Sequence, residues 1–168
     1  THSTGKTTFL NDVAEGLAAH GLRVGRVADT ASRAKATGFP ILRDHGYEST
    51  LWIMAEGLRQ EMEAALAFDV VLVDRPLVDA LGYLSAALAA TERSIPPSRF
   101  DELAQIARAH QSRYDWFAAT VLDEAIPTDA GRDPDEAFRR LAGEKIQELA
   151  SAHTDVRWLT SRTAPSLT

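Results

Sequence analysis

Apolar residues recur at helical spacing just after a glycine-lysine pair. Phe9, Leu10, Val13, Leu17 and Ala18 share one face, and Gly21 follows as a left-handed stop, which predicts a helix over about 6–20. RVGRVA (23–28) reads as a short strand ending at Asp29. Helical spacing returns over about 48–66 through Leu51, Met54, Ala55, Leu58, Met62 and Leu66. FDVVLVD (68–74) is an unbroken apolar run stopped by a charge, the pattern of a strand covered on both faces. A helix over 76–90 is broken by the two prolines of TERSIPPSR, and another is predicted over about 100–112. DWFAATVLD is then a strand, PTDAGRDP a polar loop, Asp133 and Pro134 the start of a helix running to about Ala152, and VRWLT (156–160) the last strand.

Strand and helix therefore alternate, which predicts an α/β fold with a parallel sheet sandwiched by helices. The 168 residues and 45% hydrophobic letters are enough for one packed domain over 1–168. The chain has no cysteine, and no two of its five histidines stand at metal-ligand spacing, so neither a disulfide framework nor a structural zinc site is expected. A reducing, cytoplasmic setting fits that composition. There is no run of eighteen apolar residues and no basic stretch leading into an apolar one, so no membrane partner is expected. The net charge of −6 disfavours a large nucleic-acid surface.

The opening THSTGKTTFL supplies candidate chemistry. STGKTT matches the second half of the Walker A pattern G-x-x-x-x-G-K-[ST], whose first glycine would stand before Thr1. A P-loop must join a strand to a helix. The expectation is therefore that a short apolar strand and that glycine precede Thr1. Backbone N–H groups of Ser3, Thr4, Gly5, Lys6, Thr7 and Thr8 would converge on phosphate oxygens at a helix N-terminus. Lys6 would reach the β and γ phosphates of ATP, and Thr7 would place its hydroxyl on Mg²⁺. Asp74, at the carboxyl end of VVLVD, has the address of a second magnesium ligand. The bland alternatives are a Gly-Lys-Thr helix start and an aspartate that merely forms a turn. An Asn-Lys-x-Asp guanine-reading segment and an LSGGQ-like signature are both lacking, and the length leaves no room for the lid domain of a ring ATPase. A small kinase is what remains.

Together STGKTT, VADTASRA, VLVDRPLVDALGY and TVLDEAIPTDAGRDPDEAFRR resemble small P-loop kinases of the nucleoside and nucleotide kinase type, with AAA-like ATPase/kinase domains related to the nicotinamide riboside kinases. The resemblance implies a three-layer P-loop NTPase fold with five parallel strands in the order 2-3-1-4-5, the first strand lying before Thr1. It implies that Asp29 accepts the proton of the substrate hydroxyl, although Asp29 also suits a helix N-cap for TASRA. Arg33 would line the acceptor site or be an exposed helix charge. Arg75 would contact substrate or phosphates as the second member of an Asp-Arg pair, and Asp79 and Tyr83, one turn apart, would border the acceptor pocket. Tyr83 fits the core equally well.

The segment 127–140 would form a lid in which Arg132 meets charge developing on the transferred phosphoryl group. Arg139 and Arg140 read as a solvated helix face. TSRT resembles the adenine-holding place of such kinases. Trp52 is a candidate acceptor contact, whereas Trp116 and Trp158, inside strands, read as core. His2 has no assigned role.

The resulting expectation is an ATP- and Mg²⁺-dependent kinase acting on a hydroxyl of a nucleoside-like small molecule. Lys6, Asp29, Arg75 and Arg132 would be catalytic, and the homodimer is an open arrangement. A nucleotide-binding regulatory ATPase and a nucleic-acid 5′-hydroxyl kinase are the alternatives.

Overall fold

The computed structural model describes residues 6–28, 30–120, 136–151 and 156–159. In chain order these form α1 (Lys6–Ala19), β1 (Val24–Val27), α2 (Thr30–Ala36), a 3-10 turn (Leu42–Asp44), α3 (Tyr47–Ala67), β2 (Val70–Val73), α4 (Leu77–Ala90), α5 (Pro97–Gln111), β3 (Phe117–Thr120), α6 (Glu136–Ser151) and β4 (Val156–Leu159). The elements follow the apolar periodicity closely. α5 begins earlier than its periodicity suggests because Pro97 supplies a preset φ to the first turn, where its missing N–H costs nothing. The 3-10 turn has no counterpart in the apolar pattern.

The assembly of the strands corrects the sequence expectation. β1 pairs in parallel with β2 (Val24 opposite Val70, Val27 opposite Val73), and β3 pairs in parallel with β4 (Phe117 opposite Val156). Among the described residues no ladder joins the two pairs, so the fold holds two two-stranded sheets and is mainly helical. The five-stranded parallel sheet of order 2-3-1-4-5, and with it the three-layer P-loop NTPase architecture, is not what these residues form. The physical reason is that periodicity reports the burial of single elements, while ladder formation depends on which edges come within hydrogen-bonding reach. Here the β2 and β3 backbones are separated by a cavity lined by Val71, Leu72 and Val73 on one side and Phe117, Ala118 and Ala119 on the other.

That separation explains two further corrections. All four β2 residues are only half-buried, although the run reads as a fully covered strand. Trp116 and Trp158 are 46% and 40% exposed, so neither is a core residue. β1 and β2 are pinned at their leading end by Arg23, which donates through Nε and Nη2 to Asp69 at 3.1 and 2.7 Å. These hydrogen bonds hold the Asp69 carboxyl down at about 2.

The core is built on helices. LVDALGYLSAALAA is apolar nearly all round, as suits a helix enclosed on several sides, and α4 carries buried Leu77, Val78, Leu81 and Leu84. Leu84 and Leu81 join Met54 and Ile53 of α3 and Leu103 of α5 in one cluster. Each such side chain contributes about 1.5–3 kcal/mol through burial. On its other side α4 meets α6, where Phe138 packs with Ala86, Ala87 and Ala142. Gly82 permits that approach, since a Cβ there would lie 3.0 Å from the Ile146 Cα.

α3 and α5 share a buried polar group. Glu61 meets His110 Nε2 at 2.6 Å through Oε2 and accepts a bond from the Tyr114 hydroxyl at 3.0 Å through Oε1. Burial, followed by the Glu61 charge, pushes the Tyr114 phenol above its usual range. No helix among the described residues is long and apolar enough to cross a membrane.

Candidate functional site

Lys6 opens α1 and Asp74 directly follows β2, and their side chains form an ion pair. Asp74 is fixed because its N–H donates to the Val27 carbonyl at 2.8 Å, extending the β1–β2 ladder by one residue. α1 is in turn tied to β1 by Arg26 Nη1, which donates to Asn11 Oδ1 at 2.6 Å. The chain then turns sharply. Arg75 has φ of 77°, a left-handed conformation costly to a residue with a Cβ, and Pro76 leads into α4. Such strain persists only where surrounding contacts over-determine it, and it clusters at functional sites.

Those contacts are visible. Arg75 Nη1 donates to the Tyr83 hydroxyl at 3.2 Å and lies 3.6 Å from Asp79 Oδ2, while its Cζ stands 5.6 Å from the Tyr83 ring centroid. Burial works against the Arg75 charge, but Tyr83, Asp79 and Asp74 outweigh it and raise its pKa above the ordinary arginine value. Lys6, Arg75 and Asp79 line a cavity of about 170 Å³, with Phe9, Tyr114 and Trp116 among its apolar walls. That volume suits a phosphoryl-sized group, with the remainder of any nucleotide lying outside it.

The structure thus gathers Lys6, Asp74, Arg75, Asp79 and Tyr83. Thr7 and Thr8 follow Lys6 in the first turn of α1, both exposed. Ser3, Thr4, Gly5, Asp29 and Arg132 lie outside the described residues, as do the TSRT segment and residues 127–135 of the lid expectation. Of that segment, residues 136–140 form the first turn of α6. Arg33 is drawn elsewhere, to Glu56 at 3.0 Å. Bonds from Arg59, then Gln60, with the Arg33 charge hold the Glu56 carboxyl at about 2. Trp52 packs on Phe39, with ring centroids 5.5 Å apart, at the edge of the helical core. Arg139 is buried, contrary to the solvated face expected of it, while Arg140 is exposed.

The cavity residues Phe9, Tyr114 and Trp116 carry no motif. Only the tertiary approach of α1 to the segment before β3, with Phe9 and Trp116 centroids 6.4 Å apart, brings them together. Asp74 and Thr7 carry hard oxygen donors, a carboxylate and a hydroxyl, of the type Mg²⁺ accepts. Among the described residues no group of three His, Asp or Glu side chains forms a metal cage.

Away from this site, Arg93 clamps the 3-10 turn by donating through Nη2 to the Arg43 and His45 carbonyls at 2.7 and 3.0 Å. His45 is buried, and desolvation, assisted by the Arg93 charge, lowers its pKa from 6.5 to about 4. A lowered folded-state pKa means that the unfolded chain binds the proton first, so stability falls as pH drops from 6.5 toward 4. At roughly 1.4 kcal/mol per unit this amounts to about 3 kcal/mol. Urea unfolding across that window is expected to show this loss in the wild type and a flatter profile in His45→Gln. Parallel profiles would show that His45 is not the titrating group.

Compared with known protein families and curated proteins, the chain matches no family model and no characterised relative.

Proposed function

We propose that the protein is an ATP- and Mg²⁺-dependent phosphotransferase acting on a hydroxyl of a small, nucleoside-like molecule in the cytoplasm. The observation that carries this reading is the ion pair of Lys6 with Asp74 beside a strained, half-buried Arg75, with Lys6 and Arg75 both lining one phosphoryl-sized cavity. A lysine at a helix start and an aspartate at a strand's carboxyl end are the pair that phosphoryl transfer needs, one for phosphate oxygens and one for the metal. The sequence resemblance to small P-loop kinases points the same way.

In this mechanism Lys6 exchanges its Asp74 partner for the β and γ phosphates of ATP. Asp74 and the Thr7 hydroxyl would hold Mg²⁺, which would supply neutralisation of phosphate charge. Asp29 accepts the acceptor hydroxyl's proton as its oxygen attacks the γ-phosphorus. The bond to the β–γ bridging oxygen breaks, and its electron pair leaves with ADP. Arg75 and Arg132 offset charge on the transferred group. The test is a panel of nucleosides and sugars incubated with ATP and Mg²⁺ and assayed for phosphorylated product. Transfer to one acceptor class supports the reading. ATP hydrolysis indifferent to every acceptor, or labelling of oligonucleotide 5′ ends alone, would replace it.

A further inference from the structure

Four side chains, from the 3-10 turn, α6, α4 and the turn between β2 and α4, form a continuous series ending at Arg75. The Arg43 Cζ, on the 3-10 turn, lies 5.7 Å from the centroid of the Phe138 ring of α6. That ring stands 6.3 Å from the Tyr83 ring of α4, inclined at 48°. Tyr83 in turn meets Arg75 twice, through its ring face and through its hydroxyl.

Phe138 is the fixed member. It is only 2% exposed and is enclosed by small residues, Ala86, Ala87 and Ala142, that leave its ring little room to move. A tilted aromatic pair favours particular ring geometries. The plane of Tyr83 is therefore set from behind by Phe138. The Tyr83 plane then governs where its hydroxyl can accept a bond and where a guanidinium can stack. Arg75 needs such outside support, because its left-handed backbone is not self-sustaining. On the outer side, Arg43 is held in place by the Arg93 bond to its carbonyl.

We propose that Phe138 is a positioning residue for Arg75, acting through Tyr83, with Arg43 steadying the outer face of Phe138. The kinetic part of this inference rests on the phosphotransferase reading; the positioning part does not. Loss of the Phe138 ring frees Tyr83, and Arg75 samples several orientations while remaining folded and charged. Turnover then falls more than ATP binding does, because a misplaced charge matters most where charge develops.

The experiment follows the Arg75 side-chain Nε–H signal by nitrogen-15 NMR in the full chain, together with kcat and KM for ATP. Phe138→Leu and the volume-preserving Phe138→Met are expected to speed solvent exchange of that signal. They are expected to lower kcat about tenfold, the scale on which small misplacements act, with KM for ATP changed less than twofold. Tyr83→Phe removes the hydroxyl and gives a loss of the same kind. The double variant Tyr83→Phe/Phe138→Met is then no worse than the more damaging single change, as for residues acting in series. Arg43→Gln, on an exposed side chain, moves the signal in the same direction by less.

An unchanged Arg75 signal in a folded Phe138→Met variant, or additive losses in the double variant, overturns the inference. If the wild type phosphorylates no acceptor, the phosphotransferase reading fails while the NMR arm still decides the positioning.

Discussion

Replacing Lys6 with alanine is expected to lower ATP-dependent transfer by about 10²–10³-fold, the cost of removing one pre-placed group from a developing phosphoryl charge. Two effects act together. The phosphate oxygens lose their ammonium partner, and Asp74, between the cavity-lining Val73 and Arg75, is left without its counter-charge. An unpaired carboxylate there repels the nucleotide until Mg²⁺ covers it, so the variant's affinity for ATP should depend more steeply on Mg²⁺ than the wild type's.

The fold should tolerate the change. α1 buries none of its residues, and Lys6 stands at its very start, where truncation opens no core cavity. Initial rates at graded Mg²⁺, with circular dichroism as a check on folding, measure both effects. Lys6→Arg keeps the charge but not its point geometry and should recover only part of the activity. Rates within twofold of wild type in Lys6→Ala would remove Lys6 from the mechanism.

The largest expected loss of stability comes from Glu61→Ala. Glu61 serves two partners at once, His110 and Tyr114, in a setting where its own side chain is only 10% exposed. Removing one member of a buried charged group strands the others, and such losses run to about 3–5 kcal/mol. In a domain of this size that is a fall in Tm on the order of 10 °C. Glu61→Gln keeps an acceptor oxygen and the side-chain volume, so it should lose clearly less. Urea and thermal unfolding of the two variants test the ranking; a loss below about 1 kcal/mol in Glu61→Ala would mean that solvent satisfies this group. Because Tyr114 also lines the cavity beside Lys6, the alanine variant should loosen the site as well.

How much of this was legible beforehand varies with the range of the interaction. The helices were readable because their signals are local. Leu51, Met54 and Leu58 mark one face of α3 by spacing alone, and the apolar surround of α4 marks it as the enclosed helix. Asp74 was readable because a charge ending an apolar run has few places to go except the end of a strand. Arg75 is legible as a charge in the same turn, but its left-handed φ and its double contact with Tyr83 depend on α4 folding back over the loop.

Arg33 has a partner that its local sequence does not announce. Glu56 of α3 pairs with it at 3.0 Å, a contact between separate helices. Trp116 falls just before β3 rather than inside it, and Trp158, although in β4, is exposed because a strand residue is core only when another layer covers it. Phe138, although inside the DPDEAFRR stretch, and Glu61 carry no local sign of their roles, since each has partners from other elements.

By itself the sequence determined where chain segments become helix or strand, which residues carry charge, and that a lysine at a helix start and an aspartate at a strand's end exist to be brought together. Periodicity, capping residues and turn formers act over a few residues, so they survive without any knowledge of neighbours. Only the tertiary structure decided that the four strands pair as two separate sheets, that Lys6 meets Asp74, and that Arg75 is held by Tyr83 in front of Phe138. Those are contacts between elements far apart in the chain. Their selection rests on packing volume and on which strand edges come within reach, and neither quantity is written in any short stretch of letters.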